Sequence, residues 1–285
     1  MSKPSLERTT LDSLLTRHDA IFLDAYGVLV DGQGAIAGAR EGIERLTRNG
    51  TQWFVMTNDA SRTRETMSTR FRSLGLEITA DHIVAAMDAF PALVDRLGIR
   101  GARTIVLGEP DSHRMTRDAG MHLVDPLQTL EWDVFVLADQ TGFPMLETFD
   151  RVVSGLLRAI DAGKKPMLVL PNPDRVYPKR DGEYGVATGS LAAMFDAAMA
   201  VRGARASELQ WHMLGKPHAP IFEEACRRAG TRNAVLIGDQ LMTDVRGATA
   251  FGIASALVET GITTIAHLSD APSSDHPTYL LSTLA

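Results

Sequence analysis

The chain has 285 residues, 45% hydrophobic and 22% charged, which is the balance of a soluble globular protein with one large or two modest domains. Its formal net charge of −6 argues against a general binder of nucleic acid or anionic membranes, because such proteins are basic. Cys226 is the only cysteine, which excludes an intrachain disulfide and a cysteine-rich metal site. With no signal-peptide pattern and no apolar stretch long enough to span a membrane, the sequence predicts a cytoplasmic protein.

The first eighty residues alternate short apolar runs with amphipathic stretches, a pattern that predicts parallel strands joined by helices. The predicted elements are a strand over 20–25, a helix over 38–48, a strand over 53–56, and a helix with Met67, Phe71 and Leu74 on its apolar face. Asp24 closes the first strand and Thr57-Asn58-Asp59 follow the second. Ser61 is a predicted cap for the helix after them.

The middle of the chain continues this alternation as a separate block. It contains predicted strands over 104–108, 134–137 and 167–170 and predicted helices over 149–160 and 189–201. Beyond residue 205 the first pattern resumes, with Pro217 predicted in the first turn of a helix that ends at Ala229. A buried strand over 235–237 then ends at Gly238-Asp239, and another strand is predicted over 255–258.

Polar side chains follow the predicted strands at four places, which are Asp24, Thr57 with Asn58, Lys216, and Asp239 with Asp244. Each alone is also explained as a turn or a helix cap, but parallel strands would bring all four to one edge of a sheet. A carboxylate there is a competent nucleophile, and clustered carboxylates favour Mg²⁺. Lys216 would offset the negative charge of the carboxylates and of an incoming phosphate.

The motifs in this order resemble the haloacid dehalogenase superfamily, in its class IIA, which includes nagD-like sugar phosphatases, p-nitrophenyl phosphatases and pyridoxal phosphatases. The matching motifs are Asp24-Ala25-Tyr26-Gly27-Val28-Leu29, Thr57-Asn58-Asp59-Ala60-Ser61-Arg62, Gly215-Lys216-Pro217 and Gly238-Asp239-Gln240-Leu241-Met242-Thr243-Asp244, with Val106-Leu107-Gly108-Glu109 and Asn172-Pro173-Asp174 between them.

This resemblance implies an α/β fold, in which a Rossmann-like doubly wound parallel sheet forms a core over 1–80 and 206–285 and an α/β (C2-type) cap is inserted over 81–205. It also implies a Mg²⁺-dependent hydrolase of small phosphorylated metabolites and a homodimer formed through the cap. The implied residue roles are Asp24 as nucleophile, Lys216 as its catalytic partner, Thr57, Asn58, Asn172 and Asp174 as substrate-binding residues, and Asp24, the Tyr26 backbone carbonyl, Asp239 and Asp244 as metal ligands.

Tyr26 departs from the family pattern, which places a general acid-base Asp at that position. An unperturbed tyrosine has a pKa of about 10, too high for this role near neutrality. Asp59 is a second departure, because class IIA usually has Asn there. It is either a displaced acid-base group or, as the sequence favours, a helix N-cap.

Two other functions stay open on the sequence. A phospho-ligand-binding or regulatory protein with little turnover would keep the fold and the metal site. A 2-haloacid-dehalogenase-like hydrolase would use the Asp-Ala-Tyr-Gly motif to attack carbon, but the last motif and the absence of room for a small helical cap at 33–50 favour phosphate hydrolysis. Three basic residues of the cap could meet a second anionic group of a substrate or form a solvated face, namely Arg175, Lys179 and Arg180.

Overall fold

The computed structural model describes residues 6–179, 183–259, 268 and 271–285. The chain divides into two compact units. The first comprises Met1–Thr57, Arg64–Val84 and Lys216–Ala285, and the second comprises Asn58–Thr63 and Ala85–Gly215. Among the described residues, every helix is too short or too polar to cross a membrane.

The first part of the chain alternates strands and helices as the apolar pattern predicts. Its elements are β1 (Glu7–Thr9), α1 (Leu11–Arg17), β2 (Ala20–Leu23), α2 (Ala39–Asn49), β3 (Gln52–Thr57), α3 (Arg64–Ser73) and β4 (Ile83–Ala85). Helix α2 buries Ile43 and Leu46 and ends at Gly50, whose left-handed φ of 74° stops the helix.

The inserted part of the chain forms the second unit. Its elements are α4 (Phe90–Leu97), β5 (Arg103–Leu107), α5 (Pro110–Asp118), β6 (His122–Leu123), β7 (Val134–Leu137), α6 (Met145–Asp161), β8 (Met167–Leu170), β9 (Val176–Pro178), β10 (Tyr184–Val186), α7 (Thr188–Met199) and β11 (Trp211–Met213). Five strands form a sheet in the order β11-β8-β7-β5-β6, while β9 and β10 pair as an antiparallel hairpin.

The end of the chain completes the first unit with α8 (Ala219–Ala229), β12 (Ala234–Gly238), α9 (Arg246–Phe251), β13 (Ala254–Val258) and β14 (Tyr279–Leu281). The seven-stranded sheet of this unit has the order β1-β14-β13-β12-β2-β3-β4. Strand β2 lies between β12 and β3 and is parallel to both, with Leu23 opposite Ile237 and Val55. The predicted α/β fold with parallel sheets is therefore confirmed, and the carboxyl end of β2 is central in its sheet.

The units do not follow the predicted boundaries at residues 80 and 205. Strand β11 pairs in parallel with β8, with Met213 opposite Leu170, so the chain up to Gly215 belongs to the second unit. The apolar pattern alone does not indicate this, because β11 has only three residues and all three are half-buried.

The prediction that Pro217 opens the following helix is wrong. The Lys216–Pro217 peptide bond is cis and His218 has an extended conformation, with φ −84° and ψ 149°. Helix α8 begins at Ala219, and Pro220 occupies its first turn, where a proline lacks only an N–H that the helix cannot use.

Candidate active site

Asp24 lies directly after the central strand β2 of the first unit. Its backbone N–H donates to the Ile237 carbonyl at 2.8 Å, which extends the pairing with β12 by one residue. Its carboxylate accepts the Ala25 N–H at 2.7 Å, and the residue is 6% exposed. The sheet therefore fixes a buried carboxylate at the edge where parallel α/β sheets bind ligands.

Lys216 is buried beside Asp24 and bridges two carboxylates. Its Nζ lies 2.6 Å from Asp24 Oδ1 and 2.7 Å from Asp244 Oδ1. Burial by itself would lower the pKa of the Lys216 ammonium, but the two carboxylates outweigh burial and raise this pKa above its ordinary value. Lys216 therefore stays protonated as the cation of this site.

The pKa of Asp24 is raised well above its ordinary value. Burial is the largest cause, the carboxylates of Asp244 and Asp239 act in the same direction, and the Lys216 ammonium opposes them. Since burial and like charges disfavour the ionised form, a further cation beside Asp24 would stabilise the carboxylate.

Asp239 and Asp244 belong to one loop that follows β12. Asp244 Oδ2 accepts the backbone N–H groups of Asp239 at 3.2 Å and of Gln240 at 3.1 Å. The loop continues into a single π-helical turn, Leu241–Val245, a wider turn often found at functional sites. Gly238 allows this fold, because a Cβ at that position would overlap the Asp244 side chain.

The carboxylates of Asp24, Asp239 and Asp244 fit a divalent cation. Each offers an oxygen, the oxygens lie within 4.8 Å of one another, and all three residues are buried. When ionised, these three carboxylates exceed the single Lys216 charge by two, the charge that a divalent cation supplies. Gly27, with φ 85°, lies against Asp239 so closely that a Cβ there would overlap the carboxylate. Hard oxygen ligands of this kind suit Mg²⁺ or Ca²⁺.

Tyr26 is half-buried between Asp24 and Gly27. Burial raises the pKa of the Tyr26 hydroxyl, the carboxylates of Asp31 and Asp239 add to this effect, and the Arg70 charge and the Gly32 N–H oppose it. This hydroxyl is thus an even weaker acid than an ordinary tyrosine.

The predicted substrate-binding residues fall in both units. Thr57 ends β3 in the first unit and is 9% exposed. The second unit brings the other three together: Asn58 Nδ2 donates to Asp174 Oδ1 at 3.1 Å, and Asn172 Oδ1 accepts the Asp174 N–H at 3.0 Å. No sequence signal predicts the bond from Asn58 to Asp174. The bond from Asn172 is the local turn that an asparagine side chain often forms with the backbone N–H two residues on.

The prediction that Asp59 caps the following helix is wrong, and so is the prediction that Ser61 does. Helix α3 begins only at Arg64. Asp59 Oδ1 accepts the Ser61 N–H at 2.8 Å and the Ser61 hydroxyl at 2.7 Å, whereas its Oδ2 pairs with Arg62 at 2.8 Å. Asp59 instead holds a turn, because its side chain meets its neighbours before the helix begins.

Arg175 and Lys179, the basic residues on either side of β9, are both exposed. The Lys179 ammonium lies 5.8 Å from the centre of the Tyr177 ring, a cation–π distance. The Ser190 hydroxyl donates a hydrogen bond to the backbone carbonyl of Arg175 at 2.6 Å. Arg180 lies outside the described residues.

Comparison with known proteins agrees with this geometry. Residues 21–122 match the family model of the haloacid dehalogenase-like hydrolases, and residues 213–285 match a second, HAD-hydrolase-like model. The chain is 26% identical over 276 residues to a dihydroxyacetone phosphatase of Corynebacterium glutamicum, an alignment that covers 95% of this chain and 91% of the relative.

Two solved structures resemble the whole chain. One is a possible sugar phosphatase from Cytophaga hutchinsonii, with 26% identity, a TM-score of 0.80, and coverage of 98% of this chain and 99% of that one. The other is a glycerol phosphate phosphatase from Mycobacterium tuberculosis in complex with calcium, with 25% identity, a TM-score of 0.79, and coverage of 95% and 75%. Together with the two family models, these likenesses show that the chain belongs to the haloacid dehalogenase superfamily of hydrolases, in its class IIA.

Proposed function

We propose that this protein is a Mg²⁺-dependent phosphomonoesterase that acts on small phosphorylated metabolites through a phosphoryl group transferred to Asp24. The observation that carries the proposal is the pairing of a buried Asp24 with Lys216 at 2.6 Å, beside the carboxylates of Asp239 and Asp244. A paired, buried carboxylate at a strand end is suited to covalent catalysis.

The first step is attack by an Asp24 carboxylate oxygen on the phosphorus of the substrate. The new O–P bond forms as the bond from phosphorus to the leaving oxygen breaks, and the electron pair stays on that oxygen. Lys216 keeps Asp24 in place and offsets the negative charge of the phosphoryl group. Water then attacks the phosphorus and the Asp24 O–P bond breaks, which returns its electron pair to the carboxylate. One proton of this water stays on the inorganic phosphate, and the other passes to solvent, from which the leaving oxygen of the first step takes up the proton that makes it a hydroxyl.

Asp24, Asp239, Asp244 and the backbone carbonyl of Tyr26 would hold the Mg²⁺ ion. When bound, the ion supplies positive charge that balances the carboxylates and the phosphoryl oxygens. Asp244 has a further task, because its two oxygens also hold Lys216 and the loop after β12. Thr57 and the backbone N–H of Asn58 are the proposed ligands of the phosphoryl oxygens.

The relatives support a small polyol or sugar phosphate as the substrate class. These relatives are a dihydroxyacetone phosphatase and a glycerol phosphate phosphatase. We further propose that the protein acts in the cytoplasm and forms a homodimer through its second unit.

The experiment that tests this function is a screen of phosphorylated metabolites and 2-haloacids with Mg²⁺ and with EDTA, repeated with Asp24→Asn. We expect phosphate release that requires Mg²⁺ and is abolished in Asp24→Asn. Halide release in EDTA would instead identify a dehalogenase. Tight Mg²⁺-dependent binding of phosphorylated compounds without turnover would identify a phospho-ligand-binding protein. Phosphate release by Asp24→Asn at the rate of the unaltered protein would overturn the role of Asp24.

A further inference from the structure

The segment Asn58–Thr63 follows β3 in the chain but is anchored to the second unit at both ends and in its middle. At one end Asn58 bonds to Asp174. In the middle, the buried Ser112 hydroxyl donates to the Ala60 carbonyl at 2.8 Å. At the other end the Thr63 N–H donates to Asp111 Oδ2 at 3.0 Å. The position of Asn58 is therefore set by contacts of the second unit.

Both polar atoms of the Asn58 side chain have close neighbours in the second unit. Its Nδ2 donates to Asp174 Oδ1 at 3.1 Å, and its Oδ1 lies where a Cβ on Gly215 would come within 2.5 Å. Asn58 is 6% exposed, so its amide is removed from water. The hydrogen bond to the Asp174 carboxylate therefore helps to fix the orientation of the Asn58 amide.

Asp174 is itself fixed by its backbone. Its N–H donates to Asn172 Oδ1 at 3.0 Å, and its carbonyl accepts the Gly189 N–H at 2.8 Å. The buried Thr188 hydroxyl donates to the Asn172 carbonyl at 2.8 Å. None of these three bonds uses the Asp174 side chain, so a change of that side chain leaves them in place.

We propose that Asp174 is a positioning residue that orients Asn58 through its carboxylate, and that Asn172 supports it by fixing the backbone of Asp174. This inference rests on the proposed function, in which the backbone N–H of Asn58 binds a phosphoryl oxygen. It replaces direct substrate contact as the role of Asp174. An ionised acceptor makes a strong hydrogen bond, and a misplacement of about 1 Å near the reacting atoms can cost about 100-fold in rate.

The experiment is a cycle of Asp174→Ala, Asn58→Ala and the double variant, with Asp174→Asn as the conservative change. We expect Asp174→Ala to lower kcat/KM by about 10- to 100-fold. The loss should be equal for p-nitrophenyl phosphate and glycerol phosphate, because the affected group is the shared phosphoryl group. In the Asn58→Ala background, Asp174→Ala should lower kcat/KM no further, since the hydrogen bond between the two side chains is already absent. Asp174→Asn keeps an oxygen acceptor and should restore most of the activity.

A binding measurement runs beside the kinetics. Calorimetric titration with inorganic phosphate in Mg²⁺ should show an affinity reduced about 10-fold in Asp174→Ala and recovered in Asp174→Asn. Asp161→Ala is the matched control, because this exposed aspartate of the same unit pairs with Arg202 and lies on the helix α6. It should change neither measurement. If Asp174→Ala does not fold, Asn58→Ala must show the same losses.

The outcomes separate this inference from the proposed function. Losses for glycerol phosphate but not for p-nitrophenyl phosphate mean that Asp174 contacts the substrate and overturn the positioning role. Additive losses in the double variant overturn it as well. If the unaltered protein releases no phosphate from any substrate but binds inorganic phosphate with the expected pattern, the proposed function fails and the positioning role stands. If it does not bind phosphate either, both fail.

Discussion

The backbone of Gly27 lies against the carboxylate of Asp239, and a Cβ at position 27 would overlap that carboxylate. These residues come from the loops after β2 and β12, the two strands that pair at the centre of the sheet. The Asp239 carboxylate can occupy this position only because residue 27 has no side chain, so the proposed metal site requires a glycine there.

Gly27→Ala should therefore weaken metal binding. The new methyl group displaces the Asp239 carboxylate, and we expect the Mg²⁺ affinity measured by calorimetry to fall at least 10-fold. Stability should also fall by about 1–2 kcal/mol, because φ is 85° at this position. Gly50→Ala is the control, since Gly50 has φ 74° but nothing within 4 Å of its Cβ position. Equal Mg²⁺ affinity in both variants would contradict the steric argument.

Lys216→Met should make stability depend more strongly on a divalent cation. The change removes the ammonium that pairs with Asp24 and Asp244, and losing one partner of a buried pair costs about 3–5 kcal/mol. Mg²⁺ should restore part of this loss, because a ligand of the native state stabilises it. Urea unfolding with and without Mg²⁺ measures the effect. The exposed pair of Lys165 with Glu208 provides the control Lys165→Met, which should not change the Mg²⁺ dependence.

Tyr26→Asp should raise phosphatase activity most for substrates with poor leaving groups. Burial keeps the pKa of the Tyr26 hydroxyl above its ordinary value, so in the unaltered protein the leaving oxygen departs without efficient protonation. General acid catalysis contributes about 10²–10⁴-fold, and this gain should be seen with alkyl phosphates rather than with p-nitrophenyl phosphate. The measurement is the dependence of kcat/KM on leaving-group pKa. We expect a shallower slope for Tyr26→Asp and the original slope for Tyr26→Phe; an unchanged slope in both points to another acid.

The sequence predicts the sheet well where strands are apolar and buried. The strands over 134–137 and 167–170 have the predicted bounds. Each is a run of four apolar residues, of which all four are buried in the first strand and the last three in the second. Strand β1 has the polar sequence Glu7-Arg8-Thr9 and is a strand only through its pairing with β14. A pattern of single residues cannot indicate it, since the partner is far away in the chain.

In the candidate site, too, the sequence predicts some features and not others. The alternation of strands and helices brings Asp24, Asp239 and Asp244 to one sheet edge, and this placement follows from the order of elements. The bond from Asn58 to Asp174 spans 116 residues and joins two loops, so no local pattern encodes it. The turn held by Asp59 cannot be told from a helix cap by residue type alone, because an aspartate would also suit the cap position of α3, which lies four residues later.

Asp275→Asn should lower stability at neutral pH and lose this effect in acid. Arg246 donates to both Asp275 oxygens, at 2.9 Å and 2.5 Å, and these hydrogen bonds lower the pKa of Asp275 in the folded state. A lowered folded-state pKa adds stability above the unfolded-state value of 3.8, and this stability is lost as pH falls through the folded-state value. Since the Arg246 side chain is 41% exposed, we expect the free energy of unfolding, measured in urea at pH 7, to differ by about 1 kcal/mol between the unaltered protein and the variant.

This difference in the free energy of unfolding should shrink steadily below about pH 4. The exposed pair of Asp161 with Arg202 should give a smaller difference in Asp161→Asn. A difference that stays constant from pH 7 into acid would show that Asp275 stabilises the fold through packing rather than through its charge.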